Sequence, residues 1–263
     1  MATRRLREVL PLVASGPSGR KLGRIVRKLT RALGPVRELD VANLMLDEVS
    51  GGREKARPGV VRLQEIVREE RQRLHRDMVR SIERCDVDKL TRKAVAAAQK
   101  HDQAMAGKRR ERDPHRLQVA RQRAARRAQR LHAAIENAAS IYLPDRLHEV
   151  RIAVKKLRYA MEIAQYLSRS RATARLLALK RAQDLLGRMH DLEVLIARTR
   201  AVQGSPTASS LRLSADLDEV VRRLETECRQ LHGQYIAQRS TLLAIGDHVI
   251  ALANARPRRT HAA

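Results

Sequence analysis

The chain has 263 residues, of which 55 are lysine or arginine and 29 are aspartate or glutamate, so its formal net charge is +26 at pH 7. A charge of that size destabilises a compact chain through self-repulsion unless anions are bound, which indicates a strongly anionic partner such as nucleic acid, an acidic membrane surface or inorganic polyphosphate. Trp and Phe are absent and only four tyrosines are present, which argues against the stacking platforms that bind unpaired bases.

Aliphatic residues must supply the core, because hydrophobic residues make up 43% of the chain and aromatic residues only 2%. Cys85 and Cys228 lie far apart and outside any metal-binding spacing, so we expect buried thiols without a disulfide or a metal. No apolar run is long enough to cross a membrane, and the basic N-terminus lacks the apolar segment of a signal peptide. The sequence therefore predicts a soluble, cytoplasmic protein with no cofactor and no membrane partner.

Helical periodicity runs along the whole chain, and no segment shows the convincing two-residue alternation of a strand. In chain order, helices are predicted over 2–13, 20–33, 36–49, 58–84, 86–106, 114–139, 147–162, 171–186, 189–202 and 211–253. The turn signals between them include a loop over 15–19, a bend at Gly34-Pro35, a charged linker over 107–113 and a break at Gly187. The predicted fold class is all-α.

Three segments of the chain recur in the same order. Residues 2–7 match 153–158, residues 33–41 match 186–194, and residues 70–75 match 227–232. Ordered matches of this kind indicate an internal duplication. We therefore predict two half-repeats, 1–142 and 143–263, which form pseudo-symmetric helical bundles facing one basic central cleft. A loose basic tail is expected from about residue 254.

The predicted helix over 147–162 separates its side chains by chemistry. At about 100° per residue, His148, Arg151, Lys155 and Arg158 share one face, while an apolar face lies beside it. We call these four residues the basic ladder. Positive side chains stacked about 5–6 Å apart repel one another unless an anion lies among them. The ladder is therefore predicted to bind a linear polyanion, with a solvated helix face as the alternative interpretation.

The repeat supplies further candidates. Arg4 and Arg7 correspond to Lys155 and Arg158, and Arg27 corresponds to Lys180. Counterparts of His148 and Arg151 would precede Met1, so the first helix is expected to be truncated at its N-terminus, with the true start upstream or with that half decayed.

Two residues beside the ladder are weaker candidates. Tyr159 is expected either to hydrogen-bond a phosphate or to cover the ladder. Lys156 lies about 100° from Lys155 and is assigned to the rim or to no role. His75, His190 and His232 are expected to be structural or solvated rather than functional.

A family resemblance follows from these motifs. The sequence H-x-x-R-x-x-x-K-K-L-R-Y at 148–159, with L-G-x-x-x-D/E-L-x-V at 33–41 and 186–194, resembles the conserved histidine α-helical domain, or CHAD, over nearly the whole chain. The resemblance implies two helical bundles around a basic pore and binding of inorganic polyphosphate, often at polyphosphate granules. It further implies that the ladder contacts phosphate in the second half and that Arg4 and Arg7 do so in the first. The missing N-terminal His and Arg leave the symmetry of that site open.

Catalysis has little support in the sequence. There is no phosphate-cradling glycine loop, no paired-histidine metal motif and no recognisable nucleophile with its base, so no catalytic residue is assigned. We expect polyphosphate binding without turnover. The alternatives are a protein that binds duplex nucleic acid through its phosphates, a scaffold for acidic proteins, and phosphotransfer at His148.

Overall fold

A computed structural model describes residues 6, 10, 16–50, 57–106, 114–168, 173–205 and 211–255. Within those ranges the chain is helical apart from short turns, and no strand occurs. The seven helices of the described chain are α1 Gly16–Ser50, α2 Pro58–Glu83, α3 Val87–Ala106, α4 Pro114–Ala138, α5 Pro144–Ser168, α6 Thr173–Gln203 and α7 Leu211–Asn254. The predicted all-α fold class is confirmed.

Local sequence explains most helix boundaries. Pro58, Pro114 and Pro144 begin α2, α4 and α5, where a proline is tolerated because the first N–H groups of a helix have no intrahelical partner. Asp86 caps α3, since its Oδ1 accepts a hydrogen bond from the Lys89 N–H at 2.8 Å. Ala139 ends α4 in the left-handed region with a φ of 49°. These boundaries were predicted to within a few residues.

Two predicted interruptions are wrong, because the residues described there are helical. α1 begins at Gly16 inside the predicted loop over 15–19, and α6 passes through Gly187 without a break. A glycine inside a helix costs only about 1 kcal/mol relative to alanine, and burial of Leu186 and Met189 on either side of Gly187 offsets that cost. α1 also contains Pro35 within its length. Of the predicted helix over 2–13, Leu6 and Leu10 are described and helical, while the linker over 107–113 and the end of the tail lie outside the described residues.

The chain divides into two compact units. Unit 1 comprises residues 1–110 and 191–228, and unit 2 comprises residues 111–190 and 229–263. Each unit therefore draws on both of the predicted half-repeats, and the unit boundaries fall within α6 and α7. The half-repeats 1–142 and 143–263, their duplication and the central cleft stay predictions.

Unit 2 packs α4, α5 and parts of α6 and α7 around an aliphatic core. The alanines of α4 bring that helix close to its neighbours, and leucine, isoleucine and valine fill the rest. The fully buried members are Ala128, Leu131, Ile135, Val150, Val154, Leu157 and Leu179. This packing fixes the rotation of α5 about its axis and so decides where its polar side chains lie.

In unit 1, an apolar cluster packs α1 against α3, and polar contacts join α1 and α2 to the parts of α6 and α7 that belong to the unit. The Arg198 guanidinium lies 2.5 Å from Glu70 Oε2 and 3.5 Å from Glu38 Oε1. The Gly59 N–H donates to Asp216 Oδ2 at 3.1 Å. Cys85 and Cys228 are free thiols, and both are buried, as predicted.

None of the helices in the described part of the chain has the length and apolarity needed to cross a membrane.

Candidate functional site

The basic ladder lies on α5, in unit 2, and the core of that unit determines its orientation. Leu147, Val150, Val154 and Leu157 turn into the core, so the ladder residues fall along a flank of the helix. His148, Arg151 and Lys155 are half-buried there, whereas Arg158 is only 8% exposed. The helix that the sequence predicted therefore carries the ladder, but its members differ in accessibility.

A second histidine stands directly against the ladder. His148 Nδ1 lies 3.1 Å from His190 Nδ1 of α6, and the two ring centroids are 4.3 Å apart at an interplanar angle of 48°. A contact between two ring nitrogens is a hydrogen bond only if one donates and the other accepts. In the neutral pair, the ring that donates through Nδ1 has an Nε2 that can accept a hydrogen bond. The ring that accepts through Nδ1 has an Nε2–H that can donate one. We call His148 and His190 the histidine pair.

The electrostatic field at the histidine pair is positive. Burial, followed by the charges of Arg151, His148 and Lys155, lowers the pKa of His190 to about 4. Burial, then Arg151 and Lys155, also lowers the pKa of His148, against smaller opposing effects of Asp145 and Glu149. Both rings are therefore neutral at neutral pH. Burial is the largest cause of both shifts, and the charges of Arg151 and Lys155, which come after it, favour an anion at the same place.

Arg151 links the ladder to α6. Its Nε lies 3.8 Å from the position that a Cβ on Gly187 would occupy, so the guanidinium rests against the helix that carries His190. Gly187, which was predicted to break the helix, instead has no side chain that would separate α6 from the arginine. His148, Arg151, Lys155 and His190 thus form one cluster, which we call the α5–α6 site.

Arg158 has a different environment. Its Nε donates to Gln183 Oε1 at 3.1 Å and its Nη1 donates to Glu162 Oε1, while the guanidinium carbon lies 4.6 Å from the centroid of the Tyr159 ring. Tyr159 itself is 6% exposed. The predicted phosphate contacts of both residues stay predictions, but the hydrogen bond to Gln183 engages Arg158 in holding α5 against α6.

The other candidates lie in separate surroundings. Lys180 is exposed on α6 and pairs with Asp184 at 2.6 Å. Arg27 is exposed on α1, in unit 1, and its Nε donates to the Gly23 carbonyl at 3.3 Å. Arg4 and Arg7 lie outside the described residues. The predicted phosphate contacts of these four residues stay predictions.

Lys156 faces α4 instead of α6. With Arg127 and Arg130 of α4 it lines an open depression of about 190 Å³. Positive charge therefore lies on both flanks of α5, the one that carries the basic ladder and the one that faces α4.

Sequence reasoning missed the position of His190. It was expected to be structural or solvated, and its contact with His148, 42 residues away in the chain, could not be predicted from local spacing. The available signal was the duplicated motif over 186–194, which places a histidine next to the segment that packs on the ladder helix. Among the described residues, no group of three or more His, Cys, Asp or Glu side chains is arranged to hold a metal ion.

Comparison with known proteins identifies a family. A family model described as the CHAD domain matches residues 1–200. No curated protein and no solved structure matches the chain.

Proposed function

The chain belongs to the CHAD domain family, and from that premise we propose that it binds inorganic polyphosphate at the α5–α6 site without catalysing its turnover. The observation that carries the proposal is the cluster of His148, Arg151, Lys155 and His190, in which two cations lie beside a pair of imidazoles that contact each other. The negative charge of a phosphate chain complements these two cations. The proposed place of action is the cytoplasm, at polyphosphate granules.

The residue types suit a repeating phosphate. Arg151 offers a planar fork of N–H donors for two oxygens, and Lys155 offers a compact charge. The histidine pair offers an N–H donor, and the number of its donors rises on protonation. A unit charge pair at about 4 Å is worth about 1 kcal/mol in water and about 4 kcal/mol at an effective dielectric of 20. Half-buried Arg151 and Lys155 should therefore contribute more than exposed cations of equal charge. Release of counter-ions adds a term that salt weakens.

The test removes one arginine and one lysine from each of two places. Arg151→Ala with Lys155→Ala removes charge from the α5–α6 site, and Arg92→Ala with Lys93→Ala removes the same charge from the exposed surface of α3. We expect the first pair to weaken long-chain polyphosphate binding about a hundredfold, since each lost charged hydrogen bond is worth about 1.5 kcal/mol. The second pair should weaken it less than about threefold. Titrations across a salt series measure both.

Equal losses in the two double variants would show that net charge alone attracts the polymer and would refute the site. Duplex DNA, compared with polyphosphate at matched charge and salt, tests the partner. A clear preference of the unmodified protein for DNA would overturn the proposed ligand while leaving the site in place.

A further inference from the structure

A second basic surface runs along α4. The helix carries Arg116, Arg123, Arg127 and Arg130 within a sector about 60° wide and has no acidic residue before Glu136. Arg123 precedes Arg127 by four positions and Arg127 precedes Arg130 by three, so their Cβ atoms lie about 5–6 Å apart. Like charges at these spacings are destabilising, as they are on the ladder.

The stripe meets α5 at a defined depression. Arg127, Arg130 and Lys156 line it together with Glu149, and Ala134, Ile152 and Ala153 complete the wall, enclosing about 190 Å³. Glu149 lies 3.6 Å from Arg146 Nη1, so its charge is shared with a further cation. Three cations and one engaged carboxylate leave the depression with a net positive charge.

The size and lining of the depression point to phosphate groups without bases. Its volume is below the range of about 300–1,000 Å³ that holds drug-sized ligands, and no aromatic ring lines it. Base stacking needs such a ring. Small alanine side chains in the wall leave space for a tetrahedral oxyanion among the cationic groups.

The depression and the α5–α6 site lie on the same helix. Lys155 belongs to one and the next residue, Lys156, belongs to the other, and consecutive helical side chains diverge by about 100°. A helix with its side chains is about 10–12 Å across, so a linear polymer that crosses α5 passes from one site to the other over a short distance. A short phosphate oligomer does not need to make that crossing.

We propose that Arg127, Arg130 and Lys156 form a second phosphate site, which holds a further stretch of the same polyphosphate chain that occupies the α5–α6 site. The inference rests on the proposed function. A second site should make the protein prefer long polyphosphate chains over short ones. Once a long chain is bound at the first site, its contact with the second site is intramolecular and raises the overall affinity. Tripolyphosphate, which occupies one site at a time, gains nothing from the linkage.

The test compares the double variant Arg127→Gln with Arg130→Gln against Arg73→Gln with Arg76→Gln. Both pairs are arginines three positions apart on a helix, and Arg73 and Arg76 are exposed on α2. We expect the α4 variant to lose at least about tenfold in affinity for long-chain polyphosphate, with the affinity for tripolyphosphate at the α5–α6 site changed less than about twofold. The α2 variant should change both affinities less than about threefold. Thermal unfolding checks that each variant folds, and Lys156→Gln tests the site from α5 should the α4 variant unfold.

The outcomes separate the two proposals. If the α4 variant and the α2 variant lose long-chain affinity equally while Arg151→Ala with Lys155→Ala loses far more, the second site is refuted and the proposed function stands. If all three double variants lose equally, both are refuted. A loss confined to duplex DNA in the α4 variant would assign the depression to nucleic acid and overturn the inference.

Discussion

Arg158 and Lys180 show how burial changes the value of the same kind of ion pair. Each pairs with a carboxylate four positions later in its helix, Glu162 and Asp184 respectively. The Arg158 side chain is 10% exposed and the Lys180 side chain is 61% exposed. Removing one partner of a buried charged hydrogen bond leaves the other uncompensated, whereas water replaces an exposed partner.

Arg158→Ala is therefore expected to lower the free energy of unfolding by about 1.5–3 kcal/mol, because the hydrogen bonds to Gln183 and Glu162 are lost together. Lys180→Ala should change it by less than about 0.5 kcal/mol. Urea denaturation monitored by circular dichroism measures both. Equal destabilisation would show that Arg158 does not hold α5 against α6.

If the proposed function holds, the histidine pair should make polyphosphate binding depend on pH. Burial, followed by the charges of Arg151 and Lys155, lowers both pKa values, and Asp145 and Glu149 oppose this at His148. The negative charge of a bound phosphate chain should therefore raise both pKa values. The bound protein then holds more protons than the unbound protein, and affinity must rise as pH falls. The rise should begin near the raised pKa of the complex and end near the value of about 4 for His190 in the unbound protein.

Titrations between about pH 8 and about pH 5 should therefore show tighter binding at the acidic end, beyond the effect of pH on the polymer itself. His148→Gln with His190→Gln should remove the extra dependence while keeping Arg151 and Lys155. Histidine NMR signals that move to higher pKa on binding would confirm the cause. A pH dependence unchanged in the double variant would place the proton elsewhere.

At the scale of helices, Gly59 lies where two elements pack closely together. A Cβ on Gly59 would lie 2.6 Å from Asp216 Cβ and 3.1 Å from the Leu213 carbonyl oxygen, so α2 and α7 approach each other closely there. A Cβ on Gly23 of α1 would have nothing within 4 Å. Both glycines are helical, and only one has a neighbouring helix against it.

Gly59→Ala should lower the free energy of unfolding by about 1–3 kcal/mol, because the backbone must shift and the bond to Asp216 must lengthen. Gly23→Ala should raise it by about 0.5–1 kcal/mol, since alanine has the higher helix propensity. Chemical denaturation of both variants checks the signs. Stabilisation by Gly59→Ala would contradict the close approach.

The helices themselves could be predicted from the sequence because periodicity and proline placement are local. The face of α5 that carries His148, Arg151 and Lys155 also follows from local spacing. The position of His190 does not, since it depends on how α6 packs against α5. The break predicted at Gly187 failed for the same reason, because tertiary burial outweighs a weak local preference.

The whole molecule combines a charge of +26 with two compact units. In unit 1, Glu38 and Glu70 pair with Arg198, which comes from a distant part of the chain. In unit 2, Arg158 and Lys180 likewise pair with Glu162 and Asp184. The charges of Arg151 and Lys155, in the same unit, act on the histidine pair. The composition alone gave the total charge but not this distribution.

The discontinuity of the units has a consequence for synthesis on the ribosome. Unit 1 begins within the first 110 residues but needs residues 191–228, and unit 2 needs residues from 229 onward. The polar contacts of the early helices with Asp216 and Arg198 can therefore form only after those two residues have been synthesised. A nascent chain stalled between α5 and α6 would expose apolar core residues of both units to solvent. Such a chain is prone to aggregation, and a chaperone would have to bind it to prevent this.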